Sequence, residues 1–338
     1  MDRQQQRSVK LSFFLTLFAW SVLLMGALVR LSDAGLGCPD WPTCYGHWIT
    51  PTEVNTGGES SANFDFIKAW KEMLHRYIAG FLGLGLLYLA YRHWRYTQHH
   101  PYLASSLVVL VIFQAALGMW TVTLLLKPVI VMLHLLGGMS ILSLLWWLTL
   151  RQSHYFTFSP PVPIHRSIPV LVGLTLFFLI IQIALGGWVS ANYAALICPD
   201  FPRCQAQWLP PTDFQQGFTL WHTGKINYEG GILSAEARTA IHLTHRIGAV
   251  VCSTSLLLLI WQLWRYRQQH PLFLAFLTAI SAALLLQLSL GIANILLHLP
   301  LAIAVAHQGG AALLLLSLLT LLHTLYPVIK RKTVDSSP

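Results

Sequence analysis

The sequence predicts an all-α membrane protein: eight transmembrane helices forming two tandem four-helix bundles related by pseudo-two-fold symmetry. Three observations predict it. Of the 338 residues, 55% are hydrophobic and only 10% charged, where a soluble domain carries about a quarter charged residues. Apolar runs long enough to cross a bilayer recur between short charged breaks. A unit of four such runs, with its motifs, occurs twice.

The runs are taken in order. Residues 11–30 form the first; the run is too long for a signal-peptide core and no small-residue cleavage site follows it, so it is expected to remain as a helix. The others cover 70–91, 103–126, 129–150, 168–190, 239–264, 271–296 and 301–326. Arg3, Arg7 and Lys10 precede the first run, Arg92 and Arg95 follow the second, and Arg151 and Arg166 flank the central linker. Arg265 and Arg267 follow the sixth, and Lys330, Arg331 and Lys332 close the chain. With eight spans all of these fall on one side, which the positive-inside rule makes cytoplasmic. The net charge of +9 is therefore a topology signal, scattered over short loops, and no nucleic-acid partner is expected. The opposite side holds two long loops, 31–69 and 191–238, with four of the five cysteines.

The duplication is explicit in the motifs. Cys38-Pro39-Asp40-Trp41-Pro42-Thr43-Cys44 returns as Cys198-Pro199-Asp200-Phe201-Pro202-Arg203-Cys204 at an offset of 160. His75-Arg76 returns as His245-Arg246 at 170, and His134 returns as His307 at 173. Each unit holds an even number of spans, so both insert the same way up and a pseudo-two-fold axis along the membrane normal is expected. The expected divisions are 1–152 and 168–338, joined by a cytoplasmic linker over 153–167 that contains Pro160, Pro161 and Pro163. Glycines such as Gly137, Gly138, Gly186, Gly187, Gly309 and Gly310 suit close helix packing. Gln114, Gln182 and Gln287 each stand four residues before a glycine and suit either a bond between helices or the lining of a cofactor cleft.

Fifteen histidines are present. His93, His99, His100, His154, His165, His270 and His323 fall at cytoplasmic ends and read as interfacial polar residues. His75, His134, His245 and His307 lie inside the four even-numbered spans. Each is about 7–10 Å from the non-cytoplasmic end at about 1.5 Å per residue. Two imidazoles per unit at one depth suit the axial positions of haem iron held between helices. Zinc would need a third or fourth ligand, and none repeats. Arg76 and Arg246 stand at the height of a haem propionate, or else snorkel to the interface. The cysteine pairs face the oxidising side, where bridges within each loop, Cys38 to Cys44 and Cys198 to Cys204, are the default. A redox role and a four-thiolate zinc site remain open alternatives. Cys252, in mid-span, reads as a small buried residue.

The two units differ in one acid. Glu72 stands three residues before His75 on the same helical face, and its counterpart is His242. A carboxylate there can take a proton or stabilise a developing cation. The structural alternative is an ion pair with Lys68 or Lys71.

Together the Glu72-x-x-His75-Arg76 segment, the two cysteine loops, the four span histidines and the eight spans resemble the haem A synthase family, from about residue 11 to 326. The resemblance implies an oxidoreductase that converts the C8 methyl of haem O to a formyl group, with water as oxygen source, making haem A for terminal oxidases. It implies a substrate haem at His75 and His134, a resident haem b cofactor at His245 and His307, and Glu72 as the catalytic acid-base group. Arg76 and Arg246 would be cofactor-binding. Haem O, a haem O synthase, oxidase assembly factors, membrane lipid and an electron acceptor of unknown identity are the expected partners, with room for a homo-oligomer. The basic N-terminal stretch is unlike a transit sequence, so a bacterial inner membrane is expected, with both termini cytoplasmic and the long loops periplasmic. The rival readings are a di-haem electron-transfer cytochrome b, a haem carrier and a membrane thiol oxidoreductase.

Overall fold

A computed structural model describes residues 3–52, 64–96, 101–153, 165 and 167–334. The linker prolines, His99, His100, His154 and Arg166 lie outside the described residues, as do the side chains of Lys330, Arg331 and Lys332. Every described regular element is helical: α1 (Arg3–Leu31), α2 (Phe66–Tyr96), α3 (Pro101–Thr123), α4 (Pro128–Gln152), α5 (Ser167–Ala191), α6 (Phe214–Gly217), α7 (Ala235–Tyr266), α8 (Pro271–Leu296) and α9 (Leu301–Val334). All but α6 are long and apolar enough to cross a membrane. The eight expected spans are therefore present, and the chain is a multi-pass membrane protein.

Helix ends follow local chemistry. Pro128 and Pro271 open α4 and α8 in the first turn, where no amide partner is lost. Ser234 caps α7 by accepting from the Ala237 amide at 3.2 Å. The turns after α3 and α8 are built alike. Leu125 and Leu126 take φ of 51° and 59°, and their counterparts His298 and Leu299 take 57° and 62°. The helices overrun the expected spans: α2 and α7 have 31 and 32 residues, about 46–48 Å at 1.5 Å per residue, against a hydrocarbon core of about 30 Å. Polar segments such as Arg92 to Tyr96 carry no apolar signal yet continue the helix.

The packing order is circular in each half. The first ring runs α1, α2, α3, α4 and back to α1; the second runs α5, α7, α8, α9 and back to α5. The rings meet through α1 with α9, α4 with α5, and α4 with α9. Exchanging α1, α2, α3 and α4 for α5, α7, α8 and α9 leaves this pattern unchanged. The seam is tight: a Cβ on Gly187 would lie 2.9 Å from Leu135 Cδ2, and one on Gly309 2.9 Å from Leu24 Cδ2. The largest core cluster combines both rings, with Leu86, Leu142, Leu145, Ile168, Leu259, Leu318 and Leu321 fully buried. Outward side chains such as Phe81, Val109, Ile180, Val250 and Leu285 are exposed and apolar, as a lipid-facing surface requires.

Two histidines read as interfacial are buried instead. His93 is 2% exposed and meets Gln152 at 3.4 Å; His323 is 8% exposed and meets the Trp147 ring edge-on. Their helices turn these residues inward, which position along the chain alone does not reveal. Cys252 is buried, as expected.

Candidate functional site: paired histidines under two cysteine loops

Each cysteine loop folds around its aspartate. The Asp40 carboxylate accepts from the Thr43 hydroxyl and from the amides of Tyr45 and Gly46, the last two at 2.6 and 3.0 Å. Asp200 accepts from the amides of Gln205 and Ala206 at 2.6 and 2.9 Å. Partial burial opposes ionisation of Asp40, but these donors win and hold its carboxyl below the usual range. Asp200 is shifted the same way, its amide donors outweighing desolvation. Disulfides join Cys38 to Cys44 and Cys198 to Cys204. Reciprocal amide bonds pair Cys44 with His47 and Cys204 with Gln207.

An arginine fastens each loop to its helix. Arg76 Nη1 donates to the carbonyls of Asp40, Pro42 and Thr43 at 2.9, 3.3 and 2.7 Å. Arg246 donates to those of Cys198, Asp200, Pro202 and Arg203 at 3.3, 2.8, 3.3 and 2.7 Å. A planar fork with five donors suits such a fan of carbonyls. Both arginines, expected beside a propionate, are thus already engaged with backbone.

Glu72 is buried, 4% exposed. Its Oε1 accepts from Arg76 Nη2 at 2.6 Å and its Oε2 from the Cys38 amide at 2.9 Å. The ion-pair partner is therefore Arg76, not Lys68 or Lys71. The counterpart His242, also 4% exposed, donates Nδ1–H to the Ala194 carbonyl at 2.9 Å. An acceptor beside the first histidine pair faces a donor beside the second.

The span histidines of each half approach one another: His75 and His134 lie near enough for their charges to be felt, as do His245 and His307. Nδ1 of His75, His134 and His307 is buried without a hydrogen-bond partner. Each ring lies over a glycine of the preceding helix. A Cβ on Gly26, Gly118, Gly186 or Gly291 would come within 3.1, 3.3, 3.3 and 3.1 Å of Cε1 of His75, His134, His245 and His307. No group of three or more His, Cys, Asp or Glu side chains able to hold a metal occurs among the described residues. Two nitrogens per half, with no third ligand, fit a metal that brings its other four ligands in a macrocycle, as haem iron does. Spacing signalled the histidines and Glu72; the arginine fans and the glycine floors appear only once the helices are packed.

The arrangement defines a class: an eight-span membrane protein with a pair of span histidines in each half and, among the described residues, one buried carboxylate. Residues 9–319 match the family model COX15-CtaA, described as cytochrome oxidase assembly protein. The chain belongs to this family. It is 44% identical over 314 residues to the Heme A synthase of Shewanella oneidensis, covering 91% of this chain and 94% of that protein. It is 26% identical to the Heme A synthase of Maricaulis maris, covering 88% and 90% of the two chains. It is 29% identical to that of Shouchella clausii, covering 74% of each.

Proposed function

We propose that this protein is a haem A synthase, an oxidoreductase that converts the C8 methyl of haem O to a formyl group. His75 and His134 would hold the substrate haem O, and His245 and His307 would hold a resident haem b. The observation that carries this reading is the asymmetry of the two halves: a buried carboxylate beside one histidine pair and a buried imidazole at the equivalent place. The reaction consumes one water and releases four protons and four electrons for each methyl oxidised to formyl. Haem b, when bound, supplies one-electron redox chemistry.

The protein's own groups have defined tasks. His75 and His134 hold the substrate by its iron and fix its rotation and height. Glu72 accepts a proton from the carbon being oxidised or from the attacking water; a positioned acid-base group contributes about 10²–10⁴-fold. Arg76 counters the Glu72 charge, and through its carbonyl fan keeps the cysteine loop closed above the site. Arg246 holds the second loop likewise. The scatter of Lys and Arg supports an orientation with cytoplasmic termini and the long loops on the opposite side, and the basic N-terminal stretch, unlike a transit sequence, favours a bacterial inner membrane. A haem O synthase would deliver the substrate, oxidase assembly would take the product, and a separate acceptor would take the electrons.

The test is the pigment content of the full-length protein purified from cells that make haem O. Haem b together with haem O or haem A is expected. Haem b alone, with no conversion of added haem O, would favour an electron-transfer cytochrome b.

A further inference from the structure

Three of the four site histidines carry a second device, and the fourth lacks it. One turn before the glycine under His134, His245 and His307 stand Gln114, Gln182 and Gln287. Gln114 Nε2 donates to the His134 carbonyl at 2.8 Å, and Gln182 Nε2 to the His245 carbonyl at 3.0 Å. Gln182 Nε2 also lies 3.1 Å from His245 Nδ1, and Gln287 Nε2 lies 3.4 Å from His307 Nε2. Each glutamine fits because a second glycine, three residues after the histidine, opens room for it. A Cβ on Gly137, Gly248 or Gly310 would fall 2.1, 2.4 or 2.5 Å from the facing Oε1. At the corresponding places around His75 the chain has Val22 and Ile78. The two changes are sterically linked: a branched side chain at 78 requires a short one at 22, and a glutamine requires glycine opposite.

We infer that Gln114, Gln182 and Gln287 are positioning residues, each clamping one axial histidine, and that His75, the unclamped one, is the exchangeable ligand. This rests on the reading that the histidine pairs hold haem. Amide bonds to the carbonyls of His134 and His245, and amide contacts at the rings of His245 and His307, tie these three histidines to the helix that carries their glycine floor. Oε1 of all three glutamines is buried without a partner, as is Nδ1 of His134 and His307. Outer partners of this kind fix the orientation of a ligand ring. The second half then has two clamped ligands, suited to a resident cofactor. The first half has one, His134, opposite a histidine free to let go, suited to a substrate that must enter and a product that must leave.

The experiment exchanges the devices in the full-length, haem-loaded protein and follows haem transfer to excess apomyoglobin. Haem b and haem O are separated after extraction, so each site is read independently. Gln182→Val with Gly248→Ile should speed haem b loss about 10–100-fold, the usual effect of removing an outer-shell partner, and should admit carbon monoxide to the ferrous form. Val22→Gln with Ile78→Gly should slow haem O loss. That gain cannot come from misfolding. Unchanged exchange in both variants overturns the inference. A full low-spin haem b signal in His245→Ala would instead overturn the underlying ligand reading, before any exchange is measured.

Discussion

The two halves are the same scaffold carrying different instructions. Both fold a cysteine loop around an aspartate, both fasten it with an arginine, and both seat two histidines on glycine floors. They part at three positions close to one ligand: Glu72 against His242, Val22 against Gln182, and Ile78 against Gly248. The first difference reverses a hydrogen bond. Glu72 accepts from the Cys38 amide, whereas His242 donates to the Ala194 carbonyl. On the proposed function, the shared parts would hold a haem in each half, and differences such as these three would let one half change it.

The strongest way to break this comparison is Glu72→Gln. The amide keeps one acceptor where the carboxylate has two, so either Arg76 or the Cys38 amide retains its bond, whereas alanine would remove both, a loss of about 3–5 kcal/mol for a buried pair. Both haems should stay bound while haem A formation falls by about 10²-fold or more. Haem A, haem O and any hydroxymethyl haem in cell extracts decide it, and a normal haem A yield would leave Glu72 as a structural ion pair only.

Next comes ligand removal. His245→Ala or His307→Ala should abolish the low-spin haem b signal in reduced-minus-oxidised spectra, whereas His75→Ala and His134→Ala should leave it intact. Equal losses from all four variants would erase the distinction between resident and substrate sites.

A gentler probe is the glycine floor. In Gly186→Ala the new methyl meets His245 Cε1 at 3.3 Å, and in Gly26→Ala it meets His75 at 3.1 Å. Either ring must shift by a few tenths of an ångström. Gly186→Ala should move the haem b midpoint potential, and Gly26→Ala should raise KM for haem O with the haem b potential unchanged.

The smallest effect concerns acid. Asp40 and Asp200 have carboxyls held below their ordinary value, so their support for the loops is fully present above about pH 4 and fades as pH falls through the lowered values. Asp40 has the Thr43 hydroxyl as an extra donor, and Asp200 the nearby charge of Arg246. Both loops should therefore loosen in acid. Hydrogen exchange at Tyr45 and Gly46 and at Gln205 and Ala206 reports this, and protection unchanged down to about pH 2 would contradict it.

The sequence displayed what depends on composition and linear spacing. Apolar runs named the eight spans, and the repeat at offsets of 160 to 173 singled out the four span histidines and the acid beside one of them. Facing relations were hidden. Gln182 and Gly248 are 66 residues apart and become partners only when α5 meets α7. The Arg76 fan needs a loop that turns back over its helix, so a nearby lysine was the plausible partner for Glu72 until the chain was folded. His93 and His323 looked peripheral because rank along a helix says nothing of which way a residue turns.

The exchange-invariant seam has a consequence for assembly. Contacts of α1 with α9 and of α5 with α4 are one contact made twice, and α4 with α9 is that helix meeting its own counterpart. An interface of helix pairs that repeat under such an exchange has the pattern of those that join identical subunits. Severed within 153–167 and co-expressed, the two pieces should find each other through this seam, and a lone piece would be expected to pair with its own copy.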